Sequence, residues 1–314
     1  MSLDQLRQCI KDALPDLDCV IGWEQGHSPA TATPLFMYEK QDVDRLVFGP
    51  LSVHNLATYL PGLKGKKVGI VVKGCDSRAV VQLLRENLIS REDVTIFGMG
   101  CNGVISHKRL NRTVDNLDRA SSLRMDGDDV VVTIDETEQR VAFAEVCPDK
   151  CLTCTHPNAM ISDHFIGEKS DRAPICETPP ALERFQAMSI EDRHAFWEEQ
   201  MSSCVRCYAC RNACPMCVCR DQCVAQSRDP HWMSQETSPR ENLMFQLAHT
   251  LHLAGRCVEC GECERACPME LPILLLRQTA AAGIRNLFGH EAGVDPEAQI
   301  PLLTFAVQEA NIKE

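Results

Sequence analysis

The sequence predicts an α/β domain followed by a mainly α-helical domain, and three observations carry that reading. Apolar runs VGIVV at 68–72 and VTIF at 94–97 have the length and continuity of buried strands. Between them Ala79, Val80, Leu83, Leu84 and Leu88 recur at helical spacing, with Asp76 or Ser77 placed to cap that helix. After about residue 180 the apolar period is helical only, interrupted by loops dense in cysteine.

In chain order, Leu3, Leu6, Cys9 and Ile10 form one helical face near the start. The segment DDVVVTIDETEQRVAFAEV at 128–146 reads as a hairpin, two β-rich runs around a polar turn at about Asp135 to Gln139. These elements assign 1–167 to the α/β domain. EKSDRAPICETPP, within 168–180, loses periodicity and gathers proline and charge, which marks a linker. Residues 181–314 form the second domain, in which Phe185, Met188, Phe196 and Trp197 are expected to pack, and PRENLMFQLAHTLHLAGR supplies a further helix.

A chain of 314 residues with 44% hydrophobic content can build real cores without metal staples, so its 19 cysteines need a chemical explanation. Their odd number and an opening segment with early acids argue for a reducing cytoplasm over a disulfide framework. No window reaches the ~18 consecutive apolar residues of a membrane span. A formal charge of −12 makes nucleic acid an unlikely partner, because phosphate backbones are bound through clustered Lys and Arg. No Walker sequence is present, and Gly74 to Arg78 reads as an ordinary capped turn rather than a phosphate cradle.

Residues 204–215 read CVRCYACRNACP and 257–268 read CVECGECERACP, two copies of C-x2-C-x2-C-x3-C-P. In this pattern three close thiolates take three corners of an iron–sulfur cubane, and the fourth, before proline, completes the other cluster. The expected sets are Cys204, Cys207, Cys210 and Cys267 for one [4Fe-4S] cluster and Cys257, Cys260, Cys263 and Cys214 for the second. The C-terminal domain is then a dicluster ferredoxin-like domain. Structural zinc is the weaker alternative, since zinc ribbons use separated C-x2-C pairs.

Other cysteines leave choices open. Cys217, Cys219 and Cys223 could bind an extra metal, substitute as cluster ligands or stay as buried thiols. CPDKCLTC supplies Cys147, Cys151 and Cys154, one ligand short of a third cluster. Cys101 is the first choice for the fourth and Cys75, at a strand-to-helix turn, its alternate. Zinc or free thiols remain the rival readings there. Cys9, Cys19 and Cys176 are expected to be packing residues, and His249 and His252, lacking an acid partner, to pack or face solvent.

With these residues in place, the chain resembles the β subunits of cytoplasmic sulfhydrogenases and the A subunit of anaerobic sulfite reductase. KGCDSRAVVQLL, CNG at 101–103, CPMCVC at 214–219 and HLAGRCVECGECERACP at 252–268 carry the resemblance. CLTCTHPNAMISDHFIG also looks like coenzyme F420 (deazaflavin) hydrogenase and dehydrogenase β subunits. The resemblance implies an electron relay between a flavin-bearing, pyridine-nucleotide-linked partner and a hydrogenase, sulfite reductase or heterodisulfide-reductase-like module. It also admits FAD as a cofactor. Lys73, where many relatives have proline, and the acidic spacing around Cys147 turn the expectation towards the heterodisulfide-reductase-like assembly.

Overall fold

The computed structural model describes residues 2–219, 223, 233, 234 and 236–301. Part of the insertion between Cys214 and Cys257, and the end of the 181–314 region, lie outside them. Helix α1 (Ser2–Ala13) precedes a sheet built from β1 (Cys19–Gln25), β2 (Ala32–Met37), β3 (Leu46–Val47), β4 (Val68–Val72), β5 (Val94–Met99) and the later β9 (His164–Ile166). Its order is β2-β1-β4-β5-β9. β2 and β3 run antiparallel to β1, whereas β1, β4, β5 and β9 are parallel neighbours. The two runs predicted as strands are thus the central pair, and β4 is buried at every position.

Helix α2 (Gly74–Arg85) starts earlier than the sequence suggested. Its cap is Lys73, not Asp76 or Ser77, because the Asp76 carboxylate turns back to accept the Lys73 N–H at 3.3 Å and so stabilises the first turn itself. Lys73 Nζ donates to Asp76 Oδ2 at 2.7 Å and to the His54 carbonyl at 3.0 Å, and lies 4.6 Å from the Trp23 ring centroid. Both members of this pair are fully buried. Burial works against both charges; facing Asp76 and Cys75 still hold the Lys73 ammonium above its usual value.

A second sheet is a meander of β6 (Ala120–Asp126), β7 (Asp129–Ile134) and β8 (Thr137–Ala142). The expected hairpin is β7 with β8, but its turn is only Asp135 and Glu136. Their φ values of 47° and 65° give a two-residue turn that matches strand twist. Between and beyond the sheets lie α3 (His107–Thr113), α4 (Phe143–Val146) and α5 (Asp149–Leu152). Among the described residues every element after β9 is a helix: α6 (Pro180–Ala187), α7 (Ile190–Ser202), α8 (Ala209–Asn212), α9 (Pro239–His252), α10 (Glu262–Ala266) and α11 (Ile273–Phe288). None is long and apolar enough to cross a membrane.

The two halves share a core. Met216, Leu253, Val258, Cys260 and Ala292 pack in the same apolar cluster as β1, β4, β5 and α2. Arg256 binds the Glu86 carboxylate, Arg78 donates to the Ala292 carbonyl at 2.9 Å, and Lys150 donates to the Cys260 carbonyl at 2.6 Å. The 168–180 stretch, read as a linker, is pinned to the first half. Ser170 exchanges two hydrogen bonds with the Asn158 side chain, and Arg172 lies 4.2 Å over the Phe143 ring.

Removing one partner of a buried ion pair leaves an uncompensated charge, at a cost of about 3–5 kcal/mol. Lys73→Met should therefore destabilise the chain by that amount in chemical denaturation. The double variant Lys73→Met with Asp76→Leu should recover a substantial part of the loss.

Candidate functional site

The two cysteine loops repeat in conformation as well as in sequence. Positions three and five of each are left-handed, Arg206 (φ 50°) and Tyr208 (61°) in the first and Glu259 (55°) and Gly261 (73°) in the second. Each loop then enters a short helix at its sixth residue, α8 in one and α10 in the other. Three of the four left-handed residues are not glycine, at a cost of about 1–2 kcal/mol each. Such strain persists where surroundings over-determine it. Here it curls the chain so that backbone N–H groups of Arg206 and Glu259 meet the sulfurs of Cys204 and Cys257, the same offset in each loop.

Cys204, Cys207, Cys210 and Cys267 line one small cavity of about 20 Å³, so the last thiol of the second loop joins the first three of the first loop. Cys214 is the reciprocal case, close enough to Cys257, Cys260 and Cys263 for its charge to oppose theirs. Burial is the main influence on these three thiols, pushing Cys257 up to about 12 and Cys260 and Cys263 well above the usual range. Empty of metal, they would hold their protons; ligation must displace those protons.

A third group forms where the parallel strands end. β4 and β5 are in register Val72 to Gly98, and Cys75 and Cys101 each follow three residues later, so both thiols emerge at the carboxyl edge of the sheet. That edge is where open α/β sheets place their ligands. Cys75, Cys101, Cys151 and Cys154 line a single cavity of about 270 Å³, closed on one side by Val258 and Glu259 of the second loop. The N–H of Gly103 reaches Cys101 Sγ at 3.4 Å and that of Val104 faces Cys151. Burial raises Cys75 to about 12 and Cys101 to about 11. Cys147, in the set expected from spacing, stands apart: fully buried in the second apolar cluster, with its thiol towards the Ala144 carbonyl. Cys75, the alternate, takes the position beside Cys101.

Gly74 makes this grouping possible, because a Cβ there would lie 1.7 Å from the His156 carbonyl oxygen. Lys150, between Cys75, Cys151 and Cys260, is the cation of the group; the nearby thiols raise its pKa against the effect of burial. Sequence reading noted Lys73 only as a replacement for proline and did not single out Lys150; a lysine within each cysteine-bearing motif, KGC and CPDKC, was the available signal.

Of the remaining cysteines, Cys217, Cys219 and Cys223 line a cavity of about 540 Å³ together with His249 and His252. Cys217 Sγ is 2.9 Å from His249 Nε2. His249 is buried, in keeping with a packing role, but it also touches sulfur. Among the described residues no three Cys, His, Asp or Glu side chains gather closely enough to hold a single metal ion. A four-iron cubane separates its thiolates more widely than one zinc ion, whose bonds to sulfur are about 2.3 Å. Cys19 is buried and Cys9 packs beside it in the first core, while Cys176 packs on the second.

A cavity of about 770 Å³ opens between the halves and is lined by His54, Lys108, Arg109, Lys150, Arg265 and Leu275 among others. His54 is held neutral, its pKa pushed down to about 4 by burial and then by the Arg265 cation. The surface facing this cavity is largely apolar and carries arginines paired with acids, Arg109 with Asp149 and Arg265 with Glu262.

Comparison with known proteins places these features. Residues 203–271 match the 4Fe-4S dicluster domain family. The chain is 23% identical over 291 positions to the F420-dependent formate dehydrogenase subunit beta of Methanocaldococcus jannaschii, covering 74% of this chain and 75% of that one. It is 23% identical over an alignment of 346 positions to the F420-dependent formate dehydrogenase 1 subunit beta of Methanococcus maripaludis, covering 90% and 88%. A chain of the F420-reducing [NiFe] hydrogenase complex from Methanosarcina barkeri superposes with a TM-score of 0.39 at 16% identity, covering 48% of this chain and 58% of that chain. The chain thus carries a 4Fe-4S dicluster domain at 203–271 and is similar over most of its length to β subunits of F420-dependent formate dehydrogenase.

Proposed function

We propose that the chain relays single electrons within a multisubunit oxidoreductase, through two [4Fe-4S] clusters and a third at the end of the α/β sheet. The observation that carries this reading is the twinned loop, with Cys267 lining the cavity of the first loop and Cys214 facing the second. Shared last ligands hold two cubanes side by side, a spacing suited to electron transfer rather than to bond chemistry. Cys204, Cys207, Cys210 and Cys267 hold the first, and Cys257, Cys260, Cys263 and Cys214 the second. The third takes Cys75, Cys101, Cys151 and Cys154. Its cavity wall includes Val258 and Glu259, so the three clusters form one series with the second in the middle.

Similarity to F420-dependent formate dehydrogenase β subunits supports a flavin- or deazaflavin-linked partner at one end of the series. A second redox module, of hydrogenase, sulfite-reductase or heterodisulfide-reductase type, stands at the other. A second reading makes the chain catalytic. The 770 Å³ cavity, with Lys108, Arg109 and Arg265 on its walls, has room and charge for FAD or a deazaflavin. A bound flavin would then exchange electrons with a small substrate there. Turnover by the isolated chain with an artificial donor supports the catalytic reading; turnover only after a partner is added supports the relay.

Anaerobically reconstituted chain should hold about twelve irons, or about eight if only the twinned loops are filled. Cys75→Ser should lower the iron content by up to about four and remove one reducible EPR signal, whereas Cys147→Ser should leave iron and signals intact. The reverse pattern overturns the third ligand set. Cys214→Ser should disturb the second cluster, and its leaving both twinned clusters unchanged would end the crossed arrangement.

A further inference from the structure

Arg277 on α11 is a buried guanidinium without a carboxylate. Its side chain is 1% exposed, and among the described residues no Asp or Glu lies within ion-pair distance of it. Arg78, also buried, has Glu291 at 2.9 Å. A cation in such surroundings is costly unless other negative charge is near. Arg277 Nη1 donates to Thr250 Oγ1 and to the Gln246 carbonyl at 3.3 Å. Nη2 donates to Gln246 Oε1 at 3.4 Å and to His249 Nδ1 at 2.5 Å, and Nε has no partner.

Both side chains it holds lead to sulfur. Because a guanidinium only donates, Gln246 must offer Oε1 to it, which leaves Nε2 to donate to Cys210 Sγ at 3.5 Å. By the same rule His249 accepts at Nδ1, so the proton of the neutral ring lies on Nε2, 2.9 Å from Cys217 Sγ. Burial first, and Arg277 second, keep that ring neutral. A metal on Nε2 would leave the ring with no proton, which removes His249 as a ligand while Arg277 holds it. Cys217 follows Cys214 in one turn, its N–H donating to the Cys214 carbonyl at 3.1 Å. Arg277 and Cys257 also line one small cavity. One cation therefore orients two N–H groups at two sulfurs, Cys210 of the first set and Cys217, in one turn with Cys214 of the second.

We propose that Arg277, with Gln246 and His249 as its two arms, is a positioning group that raises the reduction potentials of both twinned clusters. Reduction adds an electron to an already anionic cluster, and nearby positive charge with N–H donors to sulfur favours that state. The proposal rests on the dicluster reading above.

The test is an EPR-monitored reductive titration of the full-length, anaerobically reconstituted chain, with iron quantified on each variant. Arg277→Gln should retain wild-type iron and change the reduced-to-oxidised ratio of both clusters at fixed potential by roughly tenfold towards oxidised. For a one-electron couple this is a shift of about 59 mV to lower potential. Arg277→Lys should recover part of it. Gln246→Leu and His249→Phe should each move one potential, and not the same one. Unchanged potentials in an iron-replete Arg277→Gln chain overturn the proposal. Should Arg277→Gln fail to hold iron, the two arm variants decide, and unmoved potentials in both sink the idea. Wild-type chain with fewer than two reducible clusters is a failure of the dicluster reading instead.

Discussion

Holding anionic sulfur in a protein interior is the constraint on which the rest of this structure depends. Of the twelve cysteines in the three sets, five are buried, six half-buried and only Cys207 exposed, and burial drives thiols such as Cys75 and Cys260 towards the protonated state. Three features oppose that tendency. Left-handed residues turn backbone N–H groups onto sulfur; the second loop closes over the sheet edge; and Lys73, Lys150 and Arg277 bring positive charge inside. None of these cations sits on the surface where a charge would cost nothing. Lys73 is balanced by Asp76, whereas Arg277 has no carboxylate partner among the described residues and lies instead near the cysteine loops.

Legibility from sequence followed the range of the interactions involved. The β4 and β5 runs were visible because parallel strands covered on both faces are continuously apolar. β1 and β2 were not, since CVIGWEQ ends in polar residues and ATPLFM carries Pro34, tolerated on the sheet-edge strand β2. The turned-back Asp76 carboxylate hid the true start of α2. β6 was missed because its sequence, ASSLRMD, has only one buried residue.

The site divided in the same way. Ligand sets encoded by local spacing, the twinned loops, could be written down from the sequence. At the sheet edge, spacing offered Cys101, Cys151 and Cys154 with Cys75 as the alternate, but the grouping of Cys75 with Cys101 depends on strand register: nothing in the string shows that the two are equal distances past paired residues. Spacing favoured Cys147, and the fold gave its core position an apolar role. Arg277 had a signal that was overlooked, a lone charge following Ile273 to Leu276 on a helix whose neighbouring positions are all buried.

The wall that Val258 and Glu259 give to the sheet-edge cavity bears on how the protein is made. A ribosome finishes Cys75, Cys101, Cys151 and Cys154 roughly a hundred residues before it reaches that wall, so the thiols first meet the cell as an open, oxidisable rim. That site gains its full wall only when the second loop packs against the sheet edge, which ties its completion to the folding of both halves.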